Sequence, residues 1–284
     1  RRITGGNDRE RQAKYSPFGK PKLSNPDNPN LHTQITRQIM DKSTRKGATT
    51  GKGRGAQVAK RNLSTRVKSA KGRKISSTLW LQRQLNDPYV AEARRLGYKS
   101  RAAFKIAELD DRFDFLKPGK RIVDLGAAPG GWTQIAVERT NALGVGKQKQ
   151  GFVVGMDLQE MDTIAGATLI THDFMENDAP DILKEILKGP ADIVLSDMAA
   201  PATGHTATDH MRIIGLLEVA LDFAQDVLAP GGVFLGKVLR GGTENDILTL
   251  LKRDFRIVKH AKPPASRADS AESYVIATGF RGQN

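Results

Sequence analysis

Seven short apolar runs, most of them separated by stretches of helical spacing, occupy the chain from Arg121 to its end. They read RIVDLG, GFVVGMDL, TLITHDF, ADIVLSDM, GVFLGKVL, FRIVKHAK and SYVIATGF. Runs of this length and composition are typical of strands in the core of a protein. Because helical stretches alternate with them, we predict an α/β fold, with a mostly parallel seven-stranded sheet and helices on both faces.

Two amphipathic stretches precede the first apolar run. The stretch STLWLQRQLNDPYVAEARRLGY has apolar residues at helical spacing, and Pro88 interrupts it. The next stretch, KSRAAFKIAELDDRF, again repeats its apolar residues at helical spacing, with Ser100 in a position to be the N-cap. We therefore predict helices ahead of the sheet, broken near Pro88 and starting again at Ser100.

The positive charge of the chain is concentrated near its first residue. The net charge is +14, but residues 1–80 hold 20 Lys and Arg against 4 Asp and Glu, and the remaining residues hold 25 against 27. We divide the chain into a basic, flexible arm, residues 1–75, and a folded domain, residues 76–284. Such an arm is typical of contacts with nucleic-acid phosphates. The alternative is a solvated arm without a partner.

Composition excludes several other functions. The chain has no cysteine, which rules out disulfides, thiolate catalysis and cysteine zinc sites. Its 5 histidines lack the spacing of a metal site, so we expect no metal. It has no apolar run of the roughly 18 residues that a membrane-spanning helix needs, and its polar start, RRITGGNDRERQ, does not resemble a signal peptide. We expect a cytoplasmic protein without membrane contact.

Small residues crowd together directly after the first predicted strand, in DLGAAPGGW. Gly126 and the two alanines after it carry little bulk, so a ligand can approach the backbone there. Gly130 and Gly131 then begin a helix. The spacing differs from the G-x-G-x-x-G pattern of dinucleotide-binding proteins, which disfavours a nucleotide-dependent oxidoreductase. Trp132, at the start of the helix, is equally compatible with a wall of the ligand site and with the core.

Acidic residues stand at or near the ends of the first four predicted strands: Asp124, Asp157, Asp173 and Asp197. The carboxyl ends of parallel strands meet at one edge of a sheet, where ligands of α/β proteins bind. Asp157 can accept hydrogen bonds from both hydroxyls of a ribose, and Asp173 can accept one from an adenine amino group. The four carboxylates together predict a site for a nucleoside with little or no phosphate.

At this point the sequence resembles a known family, the FtsJ (also RrmJ or RlmE) ribosomal RNA 2′-O-ribose methyltransferases. The resemblance rests on SSTLWLQRQLNDPYV, GYKSRAAFKI, VDLGAAPGGW, SDMA, DVLAPGG and ESYVIATG, and it covers the chain from about residue 76. It implies a Rossmann-like methyltransferase fold with S-adenosylmethionine as cofactor. It also implies that the substrate is a uridine in the 23S-type ribosomal RNA of the large subunit.

The resemblance carries over site residues motif by motif. The catalytic set that it implies is Lys105, Asp197, Lys237 and Glu272. The cofactor contacts that it implies are Gly130, Trp132, Asp157, Asp173 and Asp197. Two departures occur: SDMAAPATG stands where the family usually has SDMAPN, and KVLRG stands where it often has KVFQG. The second departure places Arg240 near a possible RNA groove.

Methylation of a ribose hydroxyl needs a base and accurate positioning. A lysine can serve as the base if burial beside a second cation favours its neutral amine. We predict that Lys237 is the base, because it lies near the end of a buried strand beside Asp197. Asp197 and Glu272 would hold Lys237 and Lys105 in place.

Two functions remain after these arguments. The first is a monomeric ribosomal RNA methyltransferase that acts on the large subunit. The second is a non-catalytic RNA-binding assembly factor that has kept the fold. A protein that had lost activity would be expected to lose the lysines or the carboxylates, whereas all four catalytic positions are filled here.

Overall fold

The structure, a computed structural model, describes residues 75–240 and 245–282. The predicted basic arm therefore lies outside the described residues, apart from Ile75. The helices are α1 Ile75–Leu85, α2 Pro88–Leu96, α3 Ala102–Phe113, α4 Gly131–Thr140, α5 Ala179–Leu187, α6 Thr206–Val227 and α7 Asn245–Asp254. The strands are β1 Arg121–Leu125, β2 Phe152–Asp157, β3 Ala167–Thr171, β4 Ala191–Ser196, β5 Leu228–Leu239, β6 Phe255–Ala261 and β7 Glu272–Phe280.

The strands form one sheet of seven in the order β3-β2-β1-β4-β5-β7-β6. The first five strands in this order pair in parallel with one another. Strand β7 pairs antiparallel with both β5 and β6. The predicted mostly parallel sheet is thus confirmed, with β7 as the antiparallel strand. Helices follow β1, β3, β4 and β5, whereas residues 158–166 after β2 form a loop.

Strand β5 begins at Leu228, four residues before the predicted run GVFLGKVL. Leu228 pairs with Ala191 of β4, and the register then shifts, so that Val233 pairs with Ile193. The turn-like sequence APGG lies within this irregular part of the strand. The prediction missed it because an apolar run cannot be read across proline and glycine.

Among the described residues, two large apolar layers, one on each face of the sheet, make up most of the core. Leu183, Leu221 and Leu251 represent α5, α6 and α7 in the layer on one face. Ile106 and Ile135 represent α3 and α4 in the layer on the other face. This division follows from strands that are buried on both sides, as expected for a parallel sheet covered by helices.

The helices before the sheet break where the sequence predicted. Asp87 caps α2 by accepting a hydrogen bond from the Tyr89 backbone N–H at 3.0 Å, and Pro88 occupies the first turn, where no N–H is required. The predicted N-cap of α3 was wrong by one residue, because Arg101 occupies the N-cap position, although its side chain makes no capping hydrogen bond. The Ser100 hydroxyl nevertheless accepts from the Ala102 N–H at 3.2 Å.

The reversed direction of β7 matters for function. Glu272 is its first residue and pairs with Leu239, the last residue of β5. The amino end of β7 therefore lies at the same edge of the sheet as the carboxyl ends of β1, β2, β4 and β5. We call this edge the carboxyl rim.

Among the described residues, no helix is long and apolar enough to cross a membrane.

Candidate active site

The carboxyl rim brings together the four residues of the expected catalytic set. Asp197 follows the last residue of β4, and Lys237 lies two residues before the end of β5. Glu272 begins β7, and Lys105 reaches the rim from α3, which packs on one face of the sheet. They form two ion pairs.

The first ion pair joins neighbouring strands. Lys237 Nζ lies 2.9 Å from Asp197 Oδ1 and also donates to the backbone carbonyl oxygen of Asp197 at 2.6 Å. The Lys237 side chain is 11% exposed and that of Asp197 is 17% exposed. Two of the amine hydrogens are therefore directed to oxygens of one residue. These two contacts fix the direction of the third bonding position on Nζ.

The second ion pair joins α3 to β7. Lys105 Nζ lies 2.7 Å from Glu272 Oε1 and donates to Oε2 at 2.8 Å. Although burial acts to raise the pKa of Glu272, the charge of Lys105, with hydrogen bonds from Lys105 and Ser266, holds it below its ordinary value. The carboxylate is therefore ionised at neutral pH and available to hold the lysine.

Tyr274 connects the two ion pairs, and the sequence analysis missed it. Its hydroxyl donates to Asp197 Oδ1 at 3.1 Å and lies 3.3 Å from Lys105 Nζ, from which it accepts. Burial, followed by the charge of Asp197, raises its pKa well above the ordinary value, so it remains a donor. Its position two residues after Glu272 in a strand was the available signal, because alternate residues of a strand face the same side.

The small residues after β1 make room for neighbouring segments of the chain. Gly126 has a φ of +75°, and a Cβ there would lie 2.8 Å from the backbone of Met198. Gly130 has a φ of +107°, and a Cβ there would lie 2.5 Å from Ile164 Cδ1. The bare backbone lets the loop pack against the chain after β4 and the loop after β2. Contacts of the two glycines with a cofactor remain predictions.

Asp157 and Asp173 lie at the carboxyl rim as predicted. Asp157 Oδ2 accepts from the Ala128 N–H at 2.9 Å and its Oδ1 accepts from Gln159 N–H at 2.8 Å, which ties the loop after β1 to β2. Asp173 lies two residues beyond β3, and its Oδ1 accepts from the Met175 N–H at 2.9 Å. Each carboxylate oxygen keeps a second lone pair for another donor.

Two large apolar side chains are exposed beside these carboxylates. Leu158 follows Asp157 and is 67% exposed, and Met175, two residues after Asp173, is 53% exposed. A carboxylate and an exposed apolar side chain therefore occur together after β2 and again after β3. Carboxylate acceptors beside apolar side chains suit a nucleoside, because its hydroxyl and amino groups donate hydrogen bonds and its base needs apolar surface.

The prediction that Asp124 is part of an open row of carboxylates was wrong. Asp124 is the fourth residue of β1, not its last, and it is fully buried. Its Oδ2 accepts from the Thr133 hydroxyl at 2.6 Å, whereas Oδ1 has no hydrogen-bond partner. Burial, together with the charges of Asp197 and Asp157, raises its pKa to about 7 despite the bond from Thr133.

Trp132 lies in the core, one of the two alternatives that the sequence left open. Its side chain is 2% exposed and packs against Tyr274, with ring centroids 5.5 Å apart. The indole N–H is buried without a hydrogen-bond partner. Through this contact α4, which follows the loop after β1, supports the tyrosine that joins the ion pairs.

Comparisons with known proteins identify relatives of this chain. Residues 98–280 match the model of the FtsJ-like methyltransferase family. A protein of Paramagnetospirillum magneticum named ribosomal RNA large subunit methyltransferase E is 64% identical over 239 residues, 84% of this chain and 96% of its own. One of the same name from Rhodospirillum rubrum is 62% identical over 227 residues, 80% of this chain and 85% of its own.

A solved structure is also similar. A crystal structure from Plasmodium falciparum, described as a ribosomal RNA methyltransferase, is 32% identical, with a TM-score of 0.58, and the match covers 66% of this chain and all of that one. The chain therefore belongs to the FtsJ-like methyltransferase family and is an enzyme that depends on S-adenosylmethionine. The carboxylates and apolar side chains after β2 and β3 fit the nucleoside part of that cofactor.

Proposed function

We propose that this enzyme methylates the ribose 2′-hydroxyl of a uridine in the ribosomal RNA of the large subunit. The observation that carries the proposal is the continuous set of contacts from Lys237 through Asp197, Tyr274 and Lys105 to Glu272. It lies on the carboxyl rim beside Asp157 and Asp173. The relatives named ribosomal RNA large subunit methyltransferase E support the choice of substrate.

Lys237 acts as the base in this proposal. A neutral amine has two hydrogens and one lone pair, and the carbonyl oxygen and Oδ1 of Asp197 are placed to accept both hydrogens. The lone pair then points out of the ion pair, where a ribose hydroxyl can donate to it. After the proton moves to Nζ, the carboxylate of Asp197 at 2.9 Å stabilises the new cation.

Lys105 and Glu272 support the base from the other side. Glu272 holds Lys105 in place by accepting from it with both carboxylate oxygens. Lys105 in turn donates to the Tyr274 hydroxyl at 3.3 Å, which ties this second ion pair to the first. Tyr274 keeps Oδ1 of Asp197 oriented because it donates to that atom.

S-adenosylmethionine supplies an electrophilic methyl group on a positively charged sulfur. We propose that Asp157 and Asp173 hold its ribose and adenine, with Leu158 and Met175 against the base. We assign further contacts to Asp197 and to the loop that contains Gly126 and Gly130. Asp124 and Trp132 support that loop from inside the core. Because most of the rate of such a transfer comes from positioning, these residues serve alignment.

A non-catalytic assembly factor is not favoured. Such a protein would have no need of two partly buried lysines, each paired with a carboxylate at the rim. We further propose that the enzyme is a monomer in the cytoplasm. The domain boundary near residue 76 remains our proposal as well, since the family match begins at residue 98.

The decisive experiment is methylation of large ribosomal subunits, and separately of free ribosomal RNA, with S-adenosylmethionine labelled in its methyl group. We expect label in one uridine, at the ribose oxygen, as mapped by nuclease digestion and mass spectrometry. Label in a base rather than a ribose would contradict the assignment of the acceptor. No label in either substrate would favour the assembly factor.

A further inference from the structure

The segment between β6 and β7, residues 262–271, is held against α3 by the backbone N–H and carbonyl groups of Ala265. The Ala265 N–H donates to Glu108 Oε2 at 2.7 Å, and its carbonyl oxygen accepts from Arg101 Nη2. Ala265 is fully buried and Glu108 is 9% exposed. A buried backbone residue with both polar groups bound to charged side chains has little freedom to move.

The residues that hold Ala265 lie on the same side of α3 as a member of the catalytic set. Arg101, Lys105 and Glu108 are spaced i, i+4 and i+7, which places them on one helix face. Arg101 and Glu108 bind Ala265, and Lys105, between them, binds Glu272. One face of α3 therefore fixes both the segment and the carboxylate that follows it.

Ser266 follows Ala265 directly and contacts that carboxylate. Its hydroxyl donates to Glu272 Oε1 at 2.8 Å, the same oxygen that lies 2.7 Å from Lys105 Nζ. Its backbone N–H donates to the Pro263 carbonyl oxygen at 2.9 Å, which closes a turn. Ser266 is 6% exposed, so water does not easily replace it.

We propose that Ser266 is a positioning residue of the methyltransferase: its hydroxyl orients the Glu272 carboxylate, which then holds Lys105 beside Tyr274. The proposal rests on the proposed function, which places Lys105 and Glu272 in the catalytic set. Ser266 touches neither substrate nor cofactor in this role and acts only through Glu272.

Removal of the hydroxyl has two expected consequences. Glu272 Oε1 loses one of its two donors, so the carboxylate can turn and Lys105 is held less accurately. The pKa of Glu272, which burial acts to raise and the bonds from Lys105 and Ser266 help to lower, moves upward. Since Glu272 must be ionised to hold Lys105, the acid side of the pH profile for methyl transfer shifts to higher pH.

The test compares three single variants, Ser266→Ala, Ser273→Ala and Glu272→Gln. It also includes the double variant that combines Ser266→Ala with Glu272→Gln. Ser273 is a matched control: it is 3% exposed, and its hydroxyl donates to the Ala261 carbonyl oxygen of β6 at 3.1 Å, away from the catalytic set. The kcat for methylation of large ribosomal subunits is measured across pH, together with the affinity for S-adenosylmethionine.

We expect Ser266→Ala to lower kcat about three- to ten-fold, no more than Glu272→Gln does, and to shift the acid side upward. Cofactor affinity and the Ser273→Ala enzyme should be unchanged, and Ser266→Ala should add nothing in the Glu272→Gln enzyme. Ser266→Thr keeps a hydroxyl. The acid side of its pH profile should therefore stay at the wild-type position even if the added methyl group slows the enzyme.

Three results would overturn the inference while the proposed function stands: an unchanged Ser266→Ala enzyme, an equal loss in Ser273→Ala, or a full additional loss in the Glu272→Gln background. A wild-type enzyme that methylates neither the subunit nor the RNA would overturn the proposed function and this inference together.

Discussion

At the scale of single residues, the site depends on whether each titratable side chain can give up or accept a proton. Lys237 donates to two oxygens of Asp197, one on the backbone and one on the side chain. An arginine at position 237 would keep the charge but not a removable proton near neutral pH, because guanidinium is a very weak acid. This difference separates a base from a simple cation.

We predict that Lys237→Arg lowers methyl transfer by roughly 10²–10⁴-fold, the usual loss when a general base is removed. Cofactor binding, measured by calorimetry, should be retained, because the carboxylates after β2 and β3 are not changed. The matched control is Lys259→Arg, at an exposed position of β6, which should leave turnover unchanged. Near-normal turnover of Lys237→Arg would mean that position 237 supplies charge and not proton transfer.

Asp124 is the second residue with a consequence at this scale. Its pKa in the folded protein is raised to about 7, mainly by burial, from an ordinary value of 3.8. The folded state therefore holds a proton that the unfolded chain has lost. The resulting stability is fully present below the ordinary pKa and is lost as the pH rises through about 7.

We predict that the free energy of unfolding without cofactor falls by about 1.4 kcal/mol between pH 6 and pH 8 on account of this group. In Asp124→Asn, which cannot titrate, that part of the pH dependence should disappear. Asp222→Asn, at an exposed position of α6, is the control and should keep it. Urea denaturation at the two pH values measures the effect. If the free energy of unfolding of Asp124→Asn falls between them as much as that of the wild type, another group causes the pH dependence.

At the scale of secondary-structure elements, a buried ion pair holds α3 against α4. Arg139 of α4 donates to Asp110 Oδ2 and lies 2.7 Å from Asp111 Oδ1. Asp110 Oδ1 also accepts from the N–H groups of Phe115 and Leu116, at 2.8 Å and 2.7 Å. Asp110 thus joins the end of α3, the turn after it and α4, and thereby fixes the helix that carries Lys105.

We predict that Asp110→Ala lowers the free energy of unfolding by about 2–4 kcal/mol, because two buried backbone N–H groups lose their acceptor and Arg139 keeps only Asp111 as a carboxylate partner. Lys117→Ala removes an ion pair with Asp114 in the same part of the chain, but those side chains are 48% and 78% exposed. Its cost should stay below about 1 kcal/mol. Equal losses in urea denaturation would contradict the difference in burial as the cause.

At the scale of the whole molecule, the excess of positive charge lies in the first 80 residues. Residues 1–80 carry 20 Lys and Arg against 4 Asp and Glu, whereas the rest of the chain holds 25 against 27. The cofactor carboxylates Asp157 and Asp173 belong to the nearly neutral body. The sequence therefore separates a part suited to phosphate contacts from a part suited to a cofactor without phosphate.

We predict that deletion of residues 1–70 weakens binding to ribosomal RNA and reduces the slope of affinity against salt concentration, because fewer counterions are released. Between residues 42 and 86 the chain has 13 Lys and Arg and no acidic residue. Affinity for S-adenosylmethionine should be unchanged, which is the internal control. If RNA affinity and its salt slope both stay at the wild-type values, the arm has a different role.

Much of the fold could be predicted because its signals are local. Each apolar run and each break, such as Asp87 and Pro88, is set by a few neighbouring residues, and all seven predicted strands are present. The carboxylates Asp157 and Asp197 lie at the rim as expected, since the end of a strand can be read from its sequence. The catalytic set itself came from the family resemblance, which matched motifs rather than contacts.

The sequence by itself thus determined the strands, the helices between them, the rim residues and the uneven charge. Only the tertiary structure decided that Tyr274 joins two ion pairs, that Asp124 is buried, and that Gly126 and Gly130 make room for other segments. The reason is physical: each of these facts depends on which distant segments pack together. Lys105 meets Glu272 across 167 positions of sequence, because α3 packs on the sheet and β7 runs against β5.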